Sequence, residues 1–412
     1  MVNMASLRFL QFSDLHLDSA FSGARLNLPP AKRDQLRRDA QTALTKAMAV
    51  AVEREVDVIL CPGDLWDDES VSLEAASHLY DEFARVAPVP VLITPGNHDP
   101  GHSLSYHDRD YYQSRVGRPH PPNVHVFPAG GLQHFQHPSL EDVDFFGLAF
   151  SGNVPRTQRA LADIRSNPTT PDHLCVFLMH GSRDDVVPPA GDGARPITAP
   201  FSAAELLATN FDYTAVGHYH RYSVITDPET GLVRSAYAGC TAARGLDETG
   251  LHGVLIGEID HGGVIASSLE LIEVEPRRFL RVSVEISAEV TNAAALQMRV
   301  ESALNQAGCR AEDVAFVKLM GYLHPDLTQI PMPSPEWMER IAFHVAFDDS
   351  ALEPEHDPDA LSPDRLDGAF ALKMKELMAQ ETDPVKCARL RKALFIGLDA
   401  LNNRPIRPRD AH

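Results

Sequence analysis

The sequence predicts an α/β domain built on a largely parallel β-sheet, followed by a smaller α/β domain and terminal helices. Three observations carry this expectation. Five short apolar or β-branched runs each stop abruptly at a cluster of Asp, His, Asn and Gly. Helical periodicity fills the gaps between the first three runs, and the pattern changes after Glu275-Pro276. At 412 residues the chain is also too long for one ordinary core, so more than one domain is expected.

The runs come in order. Leu7–Phe12 precedes Ser13-Asp14-Leu15-His16, Val56–Leu60 precedes Gly63-Asp64, and Val89–Thr94 precedes Gly96-Asn97-His98-Asp99. Leu174–Met179 then precedes His180-Gly181, and Phe211–Val216 precedes Gly217-His218-Tyr219-His220. Runs of this length, ending in Pro or Gly, read as buried strands. Each polar cluster is thereby placed at a strand's carboxyl end.

Between the first two strands, Leu36, Ala40, Ala43, Leu44, Ala47, Met48, Ala51 and Val52 recur at helical spacing behind Pro29-Pro30. Between the second and third, Ser70 is placed to cap a helix carrying Leu73, Ala76, Tyr80 and Phe83. Alternating strands and helices imply right-handed crossovers and parallel pairing. Ligands of such sheets gather outside the carboxyl ends of the strands, so the scattered motifs should meet on one rim. The stretch from His102 to Pro138 reads as a long loop, and its histidines (His102, His107, His120, His125, His134, His137) lack the strand-end placement expected of ligands.

Beyond Pro276, Phe279–Ile286 reads as a strand, Asn292–Gln306 as a helix with Leu296, Val300 and Leu304 on one face, and Val314–Met320 as a strand. An acidic, Pro-rich stretch from Glu353 to Asp364 leads to helices at Pro363–Gln380 and Pro384–Leu401, opened by Ser-Pro and Asp-Pro. The expected domains are residues 1–275, 276–345 and 346–412.

No stretch approaches the roughly 18 apolar residues that span a bilayer. The first strand starts by Leu7, which leaves no room for a signal peptide. Five cysteines without a C-x-x-C pairing argue against a disulfide framework and a thiolate zinc site, and a cytoplasmic location is expected. The net charge of −20 opposes a polyanionic ligand. From Pro276 onward, however, the count is 17 Lys and Arg against 21 Asp and Glu. Most of the acidity therefore lies in the part carrying the Asp and His clusters, where bound cations would reverse the local field. The stretch from Glu381 is net basic, with Lys386, Arg389, Arg391, Lys392, Arg404, Arg407 and Arg409. A solvated helix face explains it as readily as a nucleic-acid contact.

Singly, each motif is weak, because a Gly-Asp pair usually marks a turn and a lone His is usually structural. Together, Asp14, His16, Asp64, Asn97, His180, His218 and His220 offer carboxylate, imidazole and amide donors suited to Mn, Fe or Zn. They exceed what a single ion needs, whereas two divalent ions about 3.5–4 Å apart, bridged by Asp64, use them all. Such a pair lowers the pKa of a shared water and neutralises phosphoryl oxygens, so phosphoester hydrolysis is the expected chemistry.

The ordered set Asp-x-His, Gly-Asp, Gly-Asn-His-Asp, His-Gly and Gly-His-x-His resembles the calcineurin-like metallophosphoesterase superfamily over roughly residues 6–275. The resemblance implies a sandwich of β-sheets flanked by helices. It implies that Asp14, His16 and His220 bind one ion with Asp64, and that Asn97, His180 and His218 bind the other with Asp64. His98 would protonate the leaving oxygen or steady transition-state charge. Asp67 would orient His98, although an Asp there also serves as a helix cap. Asp68 and Asp99 stand where protein Ser/Thr phosphatases carry Arg and Glu, which disfavours that branch.

Two finer features resemble the SbcD-type DNA repair exonucleases. One is Phe12-Ser13-Asp14-Leu15-His16-Leu17-Asp18-Ser19-Ala20-Phe21. The other is Tyr237-Ala238-Gly239-Cys240-Thr241 with Arg244-Gly245, then Gly253-Val254-Leu255-Ile256, although Ala238 and Cys240 depart from the usual Tyr-Pro-Gly-Ser. Phe279–Gly321 has the order of elements of the capping module of those nucleases. This resemblance implies a Mn-dependent DNA exonuclease, or single-strand endonuclease, with a coiled-coil ATPase partner docking on the C-terminal helices and a homodimer as the common assembly. Two alternatives stay open: a phosphodiesterase or phosphatase for nucleotides or other small phosphoesters, and a non-catalytic scaffolding protein.

Overall fold

The computed structural model describes residues 6–21, 26–68, 70–152, 158–186, 197–287, 289–324 and 327–404. Arg407 and Arg409 of the basic tail lie outside the described residues. The chain divides into two compact units, Met1–Phe279 and Leu280–His412.

The first unit runs β1 Leu7–Gln11, α1 Pro30–Glu53, β2 Val58–Cys61, α2 Leu73–Arg85, β3 Val91–Ile93, α3 Arg109–Val116, β4 Val124–Val126 and β5 Gln133–Phe135. It continues with β6 Val143–Leu148, β7 Leu174–His180, α4 Ala203–Leu207, β8 Tyr213–Gly217, β9 Ser223–Thr226, β10 Val233–Tyr237, β11 Gly253–Asp260, β12 Gly263–Val264 and β13 Glu270–Glu273. One hydrogen-bonded path follows the order β4-β3-β2-β1-β11-β12-β10-β8-β7-β6-β5. Its two wings, β1 to β4 and β6-β7-β8-β10, are parallel, as the alternating elements predict. They are joined through antiparallel β11 and β12.

The sheet curls so that the wings face each other. Phe9, Val58, Leu60 and Leu92 of one wing share a buried cluster with Val176, Leu178, Tyr213 and Ala215 of the other. The intervening residues point the opposite way. Leu10, Ile59, Cys61, Val91 and Ile93 pack under α1 and α2, while Cys175, Phe177, Met179 and Val216 form a third layer with Leu206 of α4. Strands buried on both faces read as continuous apolar runs rather than alternating ones, which is why they were legible. The architecture is a mixed α/β fold, a sandwich of sheet wings flanked by helices.

Local expectations needed correction at several points. Val52 of α1 is 59% exposed and sits off the buried stripe. The cap of α2 is Ser72, whose Oγ accepts from the Ala75 amide at 3.0 Å, while the Ser70 hydroxyl donates to the Asp67 carbonyl. The stretch from His102 to Pro138 is no plain loop but holds α3, β4 and β5. α3 buries only Tyr112, so it has no apolar periodicity to read. Its N-cap Asp108 accepts from the Tyr111 amide, and Gly117 ends it at φ 82°, where glycine avoids Cβ strain.

In the second unit, β14 Phe279–Ile286, β15 Val314–Leu323 and β16 His344–Pro354 form a three-stranded sheet in the order β14-β15-β16. It is covered by α5 Ala293–Gln306 through Leu296, Val300 and Leu304 and by Trp337 of α6 Pro335–Ile341. The helices α7 Leu366–Gln380 and α8 Pro384–Leu401 pack on each other through Ala371, Met374, Leu394 and Leu398. α7 begins three residues later than Ser362-Pro363 suggests, because the Arg365 amide closes a turn onto the Ser362 carbonyl. Buried Asp399 of α8 accepts from the Tyr322 hydroxyl at 2.7 Å and meets His356 Nε2 at 2.9 Å. Among the described residues, no helix is long and apolar enough to cross a membrane. All five cysteines are free.

Candidate metal centre

The polar clusters all follow strand ends on one rim. The loops after β1 and β2 run side by side, with the Asp14, His16 and Leu17 amides donating to the carbonyls of Gly63, Asp64 and Leu65 at 2.9–3.1 Å. To aim inward from these sharp turns, Asp14, His16, Asp64 and His218 adopt φ of 52°, 44°, 55° and 116°. Such left-handed backbone costs of order 1–3 kcal/mol per residue, and strain of this kind collects at sites that need it. The third loop meets the second through Gly96, where an added Cβ would lie 2.7 Å from the Asp64 amide and 2.9 Å from His180 Nδ1. Asp99 ties the two loops: its buried carboxylate accepts from the amides of Asp64, Leu65 and Gly96 at 2.7–3.0 Å.

The side chains expected to hold ions are buried together. Asp14, His16 and His220 form one cluster of donor atoms within 4.8 Å of one another, and Asp14, Asp64 and His180 form another. Asp14 uses Oδ2 to accept from the Ser13 hydroxyl and the His218 amide, which turns Oδ1 toward His220 Nε2 at 3.5 Å. Asp64 uses Oδ1 to accept from the His98 amide at 2.8 Å. Its Oδ2 lies between His180 Nε2 at 3.2 Å and His16 Nε2 at 3.7 Å. The His180 and His218 rings are 5.3 Å apart, centre to centre. Asn97 belongs to the same loop as Gly96 and His98, and its Oδ1 is buried.

The donor set fits a pair of divalent cations. Asp14 Oδ1 and His16 Nε2 from the loop after β1, Asn97 Oδ1 from the loop after β3 and His180 Nε2 from the end of β7 are buried with no hydrogen-bond partner. Each such atom costs about 1–3 kcal/mol if left unsatisfied. Metal coordination would satisfy all four, through a mixed oxygen and imidazole set in which Asp64 can bridge.

Three imidazoles are fixed from behind through Nδ1. His16 meets Asp67 Oδ1 at 2.8 Å, His180 meets the Pro62 carbonyl at 2.8 Å, and His220 meets Glu248 in a short contact. Partners of this kind direct Nε2 inward. Burial, aided by Arg244, lowers the His16 pKa to about 4, in keeping with a neutral ligand. Burial would lower His180 as well, but the adjacent Asp64 carboxylate outweighs it and raises the pKa to about 9. For Asp64, burial opposes ionisation and the neighbouring histidines overcome it, leaving the carboxyl well below its ordinary value.

His98 lies at the edge of these donors, its ring 4.9 Å from that of His16, centre to centre. Its side chain is 45% exposed, and its Nδ1 lies 2.9 Å from Asp67 Oδ1. That hydrogen bond raises its pKa against the opposing effect of burial. Asp67 therefore meets His16 and His98 with the same oxygen, and the bond to the Ala75 amide that caps α2 comes from Ser72 instead.

The histidines between His102 and Pro138 serve elsewhere. His102 pairs with Asp68, His107 with Asp99 and His134 with Asp144. His120 meets the Tyr106 carbonyl, His125 stacks on Phe135, and His137 meets the Ser139 hydroxyl. Sequence reasoning missed Glu248 and the role of Arg244. Arg244 lies 3.6 Å from Glu248, and its Nη1 donates to the Ser19 hydroxyl at 3.1 Å. Both follow the Tyr237–Thr241 segment, but a single Glu in a polar loop carries no periodic signal that marks it as buried.

A family model described as Calcineurin-like phosphoesterase matches residues 7–222. An uncharacterized metallophosphoesterase, YhaO, of Bacillus subtilis is 26% identical over 309 residues, covering 74% of this chain and 69% of that protein. The SbcD component of the nuclease SbcCD of the same organism is 25% identical over 274 residues, covering 59% of this chain and 64% of the relative. About a third of each relative's length thus lies outside the match. A dimetal phosphatase from Danio rerio aligns in structure with a TM-score of 0.36 at 12% identity, covering 63% of this chain and 97% of that one.

Proposed function

The chain belongs to the calcineurin-like phosphoesterase family, and from that premise we propose that it is a two-metal nuclease that hydrolyses phosphodiester bonds in DNA. Phosphoester hydrolysis is the family chemistry. The observation that carries it here is the placement of Asp64, with Oδ2 between His16 and His180 and Oδ1 holding the amide that precedes the His98 side chain.

Asp14, His16 and His220 would hold one divalent ion and Asn97, His180 and His218 the other, with Asp64 shared. When bound, such a pair polarises the phosphoryl oxygens and lowers the pKa of the attacking water. The protein supplies the rest. His98, more exposed than the donors around it, donates a proton to the departing oxygen or stabilises the charge on it. Asp67 keeps its Nδ1 occupied, which leaves Nε2 to face the substrate. The Asp67 hydrogen bond raises the His98 pKa, the direction an acid catalyst requires.

Two features support DNA as the substrate: the likeness to the SbcD nuclease component and the run Asp14-Leu15-His16-Leu17-Asp18-Ser19 shared with that branch. Manganese is the proposed metal, from the mixed oxygen and nitrogen donors. A second reading, a phosphodiesterase or phosphatase for nucleotides or other small phosphoesters, is favoured by the net charge of −20. The two readings separate when the protein is loaded with Mn and offered labelled linear DNA, a chromogenic diester and cyclic nucleotides. Shortening of the DNA, abolished by a chelator and restored by Mn, is expected. Inert DNA beside rapid turnover of the small esters would replace the first reading with the second.

A further inference from the structure

We propose that Glu248 is a positioning residue for His220, holding that imidazole for one of the two ions and not the other. The inference rests on the metal-centre reading above. Glu248 is buried in the loop between β10 and β11, 28 residues beyond His220 in sequence, and Oε1 is in short contact with His220 Nδ1. Its second oxygen, Oε2, accepts the Arg244 amide at 2.6 Å, and the Cys240 thiol lies 3.9 Å from it. Behind the carboxylate, the Glu248 carbonyl meets His252 Nε2 at 3.0 Å. Donors thus fix the carboxylate from the rear and leave Oε1 facing the imidazole.

A buried carboxylate is costly unless paired, and the pairing here has a direction. Arg244 Nη2 lies 3.4 Å from the same His220 Nδ1, but a guanidinium can only donate. Glu248 is the acceptor available there, so Nδ1 carries the hydrogen and Nε2 presents its lone pair on the side of Asp14 Oδ1. An outer carboxylate of this kind orients the ring and raises its basicity as a ligand.

The arrangement is unequal between the two ion positions. His16 and His220, on the side of Asp14, are each backed by a carboxylate, Asp67 and Glu248. His180 is backed by the neutral carbonyl of Pro62. Removing the charge of Glu248 should therefore weaken the ion at Asp14, His16 and His220 alone.

The test is a Mn titration of the full-length protein, metal-free at the start, by calorimetry with elemental analysis of the dialysed product. Wild type is expected to bind two ions. Glu248→Gln should bind one ion as wild type does and the other about 10–100-fold more weakly, with the melting temperature of the metal-free protein unchanged. His220→Ala should affect the same ion. Glu248→Asp keeps the charge but withdraws it by one methylene; it should show a smaller loss at that ion, and it decides the matter if Glu248→Gln does not fold. Wild-type affinity for both ions in the folded variants would overturn the assignment, as would equal weakening of both together with a lower metal-free melting temperature. A wild type that binds no pair of ions would instead overturn the two-metal reading, so the two failures are distinct.

Discussion

Asp67 Oδ1 lies 2.9 Å from Nδ1 of His98, the exposed histidine of the centre, and the same oxygen lies 2.8 Å from Nδ1 of His16. One carboxylate thus links the proposed proton donor to a proposed ligand, and this contact leads to the first prediction.

His98→Ala should lower turnover about 10²–10⁴-fold while both ions stay bound. The His98 side chain meets the centre at its edge, through Asp67 and the rim of the His16 ring, and its backbone amide, which holds Asp64, is kept. Asp67→Asn should reduce turnover and also weaken metal binding, since His16 loses its partner as well. Steady-state rates paired with elemental analysis separate the two variants. Loss of metal from His98→Ala would mean that His98 is a ligand.

Asp99 is a structural residue embedded in the Gly96-Asn97-His98-Asp99 motif. Its carboxylate accepts three backbone amides and meets His107 Nε2 at 3.0 Å. Asp99→Ala strands all of these donors in a buried place, and a loss of about 3–5 kcal/mol is expected. Denaturant unfolding measures it. A loss below about 1 kcal/mol, within the range of ordinary surface changes, would show that the loop holds itself without Asp99.

A pH dependence of stability follows from Asp144. Burial alone would raise its carboxyl, but His134 at 2.7 Å and the Thr169 amide and hydroxyl outweigh it and hold it below the ordinary value. A group depressed in the folded state stabilises above its unfolded pKa, about 3.9 for Asp, and that contribution is lost as pH falls through the folded value. Asp144→Asn should therefore be less stable than wild type near neutrality, and the gap should close on acidification below about pH 4. A gap that stays constant from pH 6 to the acid limb would assign the loss to packing instead.

Much of the fold was legible because its signals are local. A strand buried on both faces must be apolar along its length, so β1, β2, β3, β7 and β8 announced themselves, and the motif at each carboxyl end followed. α1 was visible for the same reason, as Leu36, Ala40, Ala43, Leu44 and Ala47 face one side. α3, β4 and β5 were not, since α3 buries one side chain and each of the strands is three residues long.

The sequence by itself determined which residues are the candidate donors. Asp14, His16, Asp64, Asn97, His180, His218 and His220 each stand just past an apolar run, and the rise and stop of that run is a property of a few consecutive residues. Only the tertiary structure decided what stands behind them. Asp67 behind His16 and His98, Pro62 behind His180, Glu248 behind His220 and Asp99 beneath Asp64 depend on which loops close against one another once the two wings of the sheet curl together. An acidic side chain in a loop reads the same in sequence whether water or an imidazole awaits it. The partner lies up to 118 residues away along the chain, and only the folded backbone brings it within hydrogen-bonding distance.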